Sequence, residues 1–147
     1  MAPHDEATLS THERERLLHR LHGYLVWVGA EIPDVVEIDG RTIPLHELIW
    51  KLFNKSEVTD REIAGIESLI RFLEKREACD EHRLARANLT EEDAYALYNE
   101  ASGLLRAIMD LKEIEQGRHP DRDLRRREVR KKIRDAHALL KFVDELG

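Results

Sequence analysis

The sequence lacks several features on which many enzymes depend. Its single cysteine, Cys79, cannot form an internal disulfide and has no second thiolate with which to bind a metal. The seven glycines are scattered, so neither phosphate-binding pattern, GxxxxGK or GxGxxG, is present. Aromatic residues make up only 5% of the chain. We therefore favour a non-enzymatic protein and expect no cofactor.

Long apolar runs are also missing. The longest uncharged apolar run, residues 24–30, is seven residues long, whereas a bilayer-spanning helix needs roughly 20. The first residues, MAPHDEATLSTHERERL, carry charge where a signal peptide has its apolar run. We predict a cytoplasmic protein with no membrane partner.

Apolar residues make up 41% of the chain, and most of them recur at the spacing of a helix. Ser10, Thr59 and Thr90 each precede a periodic segment and have an acidic residue three positions later, the pattern of a capping box. The sequence predicts an all-α or nearly all-α fold of about five helices in a bundle-like packing. Residues 1–9 are predicted to be a flexible N-terminus, and residues 10–147 a single helical domain.

Three stretches inside this pattern need separate interpretation. Residues 24–29, YLVWVG, are apolar all round, which favours a buried helix end, although the composition also suits a strand. Residues 74–83, EKREACDEHR, have almost no apolar face, which predicts a solvated, bent or frayed end of the third helix. Gly103 predicts the close approach of a neighbouring helix, because glycine inside a helix costs about 1 kcal/mol relative to alanine.

Residues 35–43 carry a strand-turn-strand signal. Asp39 and Gly40 stand between two β-branched runs, and this dipeptide favours a two-residue type I′ turn, which needs positive φ at both positions. We predict a β-hairpin with one apolar face that passes directly into a helix at Pro44. The predicted register pairs Val36 with Ile43, Glu37 with Thr42 and Ile38 with Arg41.

Two segments carry a resemblance to a known family. EIPDVVEIDGRTIPLHELIW and LTEEDAYALYNEASGLLRAIMDLKEIEQG are similar to an uncharacterised family of small archaeal helical proteins, known only as a domain of unknown function. The resemblance covers roughly residues 9–117 and implies one domain. It implies no catalytic or binding residue, because that family has no assigned activity.

The hairpin and two nearby tryptophans are the leading candidate for an interaction surface. A two-stranded ribbon is marginal in water, so it must pack on helices or gain strands from another chain. We expect the tryptophans to pack under the hairpin; if they are exposed, they mark an interface beside it. The leading hypothesis is a non-enzymatic helical interaction module able to form a homodimer. Its candidate interface residues are Trp27, Val36, Ile38, Ile43 and Trp50.

The strongest charge feature is RHPDRDLRRREVRKKIR, residues 118–134, in a fifth helix predicted to start near Pro120. It has nine Lys or Arg against three Asp or Glu, in a chain whose formal net charge is -6. We expect this basic surface to pair with the protein's own acidic helices. The alternatives are an acidic partner protein and a nucleic acid. Phosphates would be bound by Arg126, Arg127, Arg130, Lys131 and Arg134.

Two further clusters have simpler explanations. Glu15, His19 and His22 on the first helix suit zinc chemically, but the sequence shows no fourth ligand. Cys79 and His82 could form a nucleophile and its base, but the surrounding acidic residues disfavour a thiolate. We predict no metal site and no catalytic site. An enzyme with an unrecognised site remains the second alternative.

Overall fold

The described part of the chain consists of five helices and one short hairpin. The computed structural model describes residues 8–23, 29–117 and 136–146, except for the side chains of residues 136–138. This architecture confirms the predicted, nearly all-α fold. The elements in chain order are α1 (Thr11–Leu21), β1 (Val36–Ile38), β2 (Arg41–Ile43), α2 (Leu45–Phe53), α3 (Asp60–Arg86), α4 (Glu91–Gln116) and α5 (Ala136–Leu146).

The long helices α3 and α4 form an antiparallel pair, against which the other helices pack. A four-residue connection joins them; α1 packs against both, α2 against α4 and α5 against α3. Thr59 starts α3 with the predicted capping box: its hydroxyl accepts from the amide of Glu62, whose carboxylate accepts from the amide of Thr59. Thr90 caps α4 by accepting from the amide of Asp93 at 3.1 Å.

The hairpin has the predicted register and turn. Val36 pairs with Ile43, and Ile38 pairs with Arg41, in one antiparallel ribbon. Asp39 and Gly40 have φ angles of 53° and 77°, as a type I′ turn requires. The side chains of Val36, Ile38 and Ile43 are buried against the helices, so the ribbon is held by its apolar face.

The larger apolar core surrounds the first half of α3. Every residue from Glu62 to Ile70 is buried, because α2, α4, α5 and the hairpin enclose this half of the helix. Gly65 allows α5 to approach, since a Cβ built there would clash with the ring of Phe142. Apolar residues of the core include Leu45, Leu48, Leu52, Ile63, Ile66, Leu69, Leu73, Leu104, Leu111, Leu139 and Phe142.

A second, smaller apolar cluster joins α1 to the other end of the α3–α4 pair. Arg14 of α1 donates to the carbonyl oxygens of Leu84 at 2.5 Å and Ala87 at 2.8 Å, so it caps the end of α3. The sequence places Leu9 in a flexible terminus, whereas its side chain is buried and its amide donates to Leu89 O at 3.0 Å. The members of this second cluster are Leu9, Leu17, Leu21, Leu84, Leu89, Ala94, Leu97, Tyr98 and Ala101.

The second half of α3 corrects the prediction of a solvated, bent or frayed end. The helix continues to Arg86, and Glu77, Asp80 and Leu84 are buried in it. With Leu73, they form one stripe at spacings of four, three and four, which lies against α4 and α1. The prediction failed because two positions of this stripe are occupied by carboxyl groups.

Candidate functional site: a cleft beside the hairpin

A cleft of about 810 Å³ lies between the chain segment that precedes β1 and the middle of the α3–α4 pair. Residues 29–37 form one wall, with apolar side chains from Ile32, Pro33 and Val36. The opposite wall consists of Arg76 on α3 and Asn99, Glu100, Ser102 and Leu104 on α4.

Gly103 determines how closely the two walls meet. A Cβ built at this position would clash with the carbonyl oxygen of Glu31 and would lie 3.1 Å from Cδ of Pro33. The sequence correctly indicates close packing at Gly103, but the neighbour is the segment before β1 and not a helix. Glu31 and Pro33 therefore lie directly on α4, where the two walls of the cleft meet.

One edge of β1 borders this cleft. Val35, Val36 and Glu37 line it, whereas no residue of β2 is among its lining residues in the described part. Glu37 and Thr42 form the non-hydrogen-bonded pair next to the two-residue turn, so the backbone N–H and C=O of Glu37 point away from β2. Within the described ranges, no strand other than β2 pairs with β1. We call this side of β1 its open edge.

The cleft carries an excess of negative charge. Arg76 is its one basic lining residue among those described, and its Nε lies 2.8 Å from Oε1 of Glu100. Glu31, Asp34 and Glu37 also line the cleft, and none of them forms an ion pair with another described residue. All three are exposed, so their charge is available to a ligand.

Behind Glu100, the carboxyl group of Asp80 is buried between α3 and α4. Its residue is 1% exposed, and within the described part of the chain no N–H or hydroxyl group donates to its Oδ2. Burial, the negative charge of Glu100 and a hydrogen bond with Glu100 raise the pKa of Asp80 to about 7, against the opposing effect of Arg76 and Arg83. Asp80 and Glu100 therefore form a carboxyl pair in which protonated Asp80 donates to Glu100.

A second carboxyl pair links α3 to α1. Burial, followed by a hydrogen bond with Glu81 and its negative charge, raises the pKa of Glu77 to about 8. The hydrogen bond from Glu77 is the main cause that lowers the pKa of Glu81, and a contact with His22, which directly follows α1, adds to it. A protonated Glu77 thus donates to an ionised Glu81, which in turn binds the imidazole of His22.

The sequence analysis missed Arg76, Glu77, Asp80 and Glu100. A signal for two of them was present, because Glu77 and Asp80 lie at helical spacing between Leu73 and Leu84. Carboxyl groups at positions that continue an apolar stripe indicate burial. No comparable signal identifies the cleft itself, since its two walls are distant in sequence.

The residues proposed from the sequence for an interface lie in different environments. Val36, Ile38 and Ile43 are in the protein's own core. Trp50 is 61% exposed, so the expectation that it packs under the hairpin is wrong; α2 turns Leu45, Leu48, Ile49 and Leu52 inward instead. Outside the described residues lie Trp27 and the proposed phosphate-binding residues Arg126, Arg127, Arg130, Lys131 and Arg134.

The remaining candidates from the sequence are on the surface. His22 contacts Glu81 and not a ligand cluster with Glu15 and His19, and Cys79 is exposed. Across residues 8–23, 29–117 and 136–146, no group of three or more His, Cys, Asp or Glu side chains could hold a metal ion. In the same ranges, no helix has both the length and the apolar character needed to cross a membrane.

Comparison with known proteins gives one match. A model of a protein family described as of unknown function matches residues 9–144. No curated protein and no solved structure matches the chain.

Proposed function

We propose that this chain, which belongs to the family of unknown function DUF5788, is an interaction module that binds an extended segment of another polypeptide along β1. The observation that carries this proposal is the open edge of β1, which borders a cleft of about 810 Å³. An added strand would form backbone hydrogen bonds with β1, while the cleft would receive its side chains.

The backbone of Glu37 provides the hydrogen-bonding groups for such a strand. Its N–H and C=O point away from β2, because Glu37 and Thr42 form a non-hydrogen-bonded pair, and Glu37 lines the cleft. The side chain of Val35, the residue before β1, is 53% exposed. The ribbon alone has two strands of three residues each, so a third strand would stabilise it.

The interface residues named from the sequence take separate roles in this proposal. The side chains of Val36, Ile38 and Ile43 hold the ribbon on the helices and leave its edge accessible. Trp50 and Phe53, which are 61% and 48% exposed, lie one helical turn apart on α2 and are apolar side chains available to a partner. Homodimerisation would be a special case, in which the added strand comes from a second copy.

Replacing Glu37 with proline tests the proposal. Glu37→Pro removes the amide that points away from β2 and leaves the hydrogen-bonded pairs with β2 in place. Thr42→Pro is the matched control, because it removes the equivalent amide on the other edge of the ribbon, which does not line the cleft. Peptides selected from a random display library on the wild-type protein should bind Thr42→Pro but not Glu37→Pro.

Amide NMR of the wild-type protein provides a second measurement that does not depend on how the proline variants fold. Peptide binding should slow hydrogen exchange of the Glu37 amide and shift the resonances of Val35 and Glu37. The proposal is wrong if selected peptides bind Glu37→Pro as tightly as the wild type, or if these amides do not respond. Light scattering shows whether the partner is a second copy, which would appear as a dimer that Glu37→Pro dissociates.

The carboxyl pair of Asp80 and Glu100 favours a second candidate function, an enzyme that transfers a proton at the cleft. A carboxyl group whose pKa lies near neutrality is suited to general acid–base catalysis. We prefer the binding function because only Glu100 of the pair lines the cleft, while Asp80 is behind it. If the protein is an enzyme, a small-molecule ligand should compete with the peptide for the cleft. Glu100→Gln should then abolish turnover of that ligand.

A further inference from the structure

Binding at the open edge of β1 leaves the chemistry of the partner unspecified, but the surroundings of the cleft constrain it. Three exposed carboxylates, those of Glu31, Asp34 and Glu37, line the cleft. Arg76 does not balance them, because its guanidinium is already bound to Glu100 at 2.8 Å. The unbalanced charge around the cleft is therefore negative.

A second depression, which shares lining residues with the cleft, also has an excess of negative charge. Glu31 and Asp34 also line a space of about 390 Å³ together with His46 and Arg106. The guanidinium of Arg106 is 3.4 Å from Asp110, so it too has a carboxylate partner. The negative charge thus continues from the cleft along the segment that leads to β1.

The two faces of β1 differ, and an added strand would meet both. Val36 and Ile38 point to the apolar core, whereas the exposed face carries Glu37. Side chains on the core-facing side of an added strand would enter the cleft, whose partly exposed apolar lining includes Ile32 and Pro33. Side chains on the other side would lie opposite Glu37, at the distance of cross-strand pairs.

We infer that the partner segment alternates apolar residues with lysine or arginine. Its apolar side chains enter the cleft beside Ile32 and Pro33, and its cationic side chains face Glu37, with Glu31 and Asp34 in the segment before β1. This inference rests on the proposed function, since it specifies the segment that the open edge receives.

Three labelled peptides of equal length test the composition of the partner. They alternate valine with lysine, serine or glutamate, and their binding is followed by fluorescence anisotropy. The lysine peptide should bind most tightly and the glutamate peptide least. Raising NaCl from about 0.05 M to about 0.5 M should weaken binding of the lysine peptide several-fold and leave the serine peptide nearly unchanged.

Single charge-neutralising variants locate the effect. Glu37→Gln, Asp34→Asn and Glu31→Gln should each weaken binding of the lysine peptide roughly two- to fivefold, as expected for one cross-strand ion pair. Glu57→Gln is the matched control: it changes the net charge equally at an exposed position that lines neither depression. It should leave the dissociation constant of the lysine peptide unchanged.

The outcomes separate this inference from the proposed function. Equal affinity for the serine and lysine peptides, both lost in Glu37→Pro, would overturn the cationic partner and keep strand addition. An effect of Glu57→Gln as large as that of Glu37→Gln would also overturn it, because net charge alone would then explain binding. A dimer that the lysine peptide does not dissociate would overturn it as well, since a second copy would hold the edge. If no peptide protects the Glu37 amide, the proposed function itself fails.

Discussion

The two halves of α3 both bury carboxyl groups, but in different surroundings. From Glu62 to Ile70, the helix is enclosed on all sides by the larger core. From Leu73 to Leu84, a narrow stripe is buried, and its two middle positions are the carboxyl groups of Glu77 and Asp80. Despite its burial, hydrogen bonds from Lys55 and Thr59 lower the pKa of Glu62 in the first half. Burial raises the pKa of Glu77 and Asp80 in the second half, so ionisation of these two groups opposes folding.

One helix thus combines a half that supports the fold with a half whose stability depends on pH. The enclosed half positions the hairpin and α5, so the open edge of β1 is attached to the more stable part of the molecule. The second half carries Arg76 of the cleft wall, and its Glu77–Glu81 pair contacts His22 at the end of α1. Changes in pH should act mainly on this second half.

The largest effects should come from matched truncations at the two ends of the stripe. Leu73 and Leu84 are both fully buried on α3, one in each apolar cluster. Each change to alanine should lower the free energy of unfolding by about 2–5 kcal/mol, with Leu73→Ala at the upper end because its surroundings are larger and more enclosed. Urea titrations followed by circular dichroism measure both values.

Native-state hydrogen exchange sharpens this comparison. Leu84→Ala should increase exchange mainly in α1 and the nearby ends of α3 and α4, whereas Leu73→Ala should increase it throughout. Equal losses of protection in both variants would show that the two clusters unfold as one unit.

The next largest effect concerns Glu77 and pH. In the folded protein its pKa is about 8, whereas the unfolded chain releases the proton near 4.5, so stability should fall as pH rises between these values. Glu77→Gln removes the part of this fall that is due to Glu77, while the part due to Asp80 remains, and it should raise the free energy of unfolding at pH 8 by roughly 2–4 kcal/mol. Thermal unfolding between pH 5 and pH 8 measures the slope, and Glu113→Gln, at an exposed position, should leave it unchanged.

A smaller effect is expected in the enclosed half at Gly65. Gly65→Ala should lower the free energy of unfolding by about 1–3 kcal/mol, because its Cβ would clash with the ring of Phe142, which has no room to move. The double variant with Phe142→Leu should be less destabilised than the sum of the two single changes. If chemical denaturation shows that the two losses of unfolding free energy simply add, the contact between residue 65 and the ring of Phe142 is contradicted.

The smallest effect should come from Glu13 on α1, and it has the opposite pH dependence to that of Glu77. Hydrogen bonds from Arg16 and Tyr95 lower the pKa of Glu13 to about 2. Its contribution to stability is therefore present above about pH 4.5 and is lost as the pH falls through 2. Glu13→Gln should slightly lower the melting temperature at pH 7 and leave it unchanged near pH 2.

Local sequence patterns predicted most of the fold because short-range interactions determine it. The helix caps at Thr59 and Thr90 depend on residues three positions apart, and the register of the hairpin follows from Asp39 and Gly40. The direction in which α2 turns Trp50 was predicted wrongly, since it depends on which face packs against α4. The end of α3 was missed because burial of Glu77 overrides the polarity of its side chain.

The candidate site was much less predictable. Its walls join residues 29–37 to the middle of α3 and α4, and no spacing rule relates such distant segments. The hairpin could be recognised, but which of its edges faces a cleft depends on where the preceding segment lies on α4. Gly103 indicated a close contact without indicating that the contact is with Glu31.

The contact that Arg14 makes with the end of α3 bears on the order in which the chain folds. It joins Arg14 to residues that lie 70 and 73 positions later in the chain. In contrast, α3 and α4 are neighbours in sequence and can pair as soon as both have formed. During synthesis, α1 leaves the ribosome before the carbonyl groups that Arg14 binds. The contacts of α1 can therefore form only after α3 has been made. We expect the α3–α4 pair to be the nucleus of folding and α1 to attach in a late step.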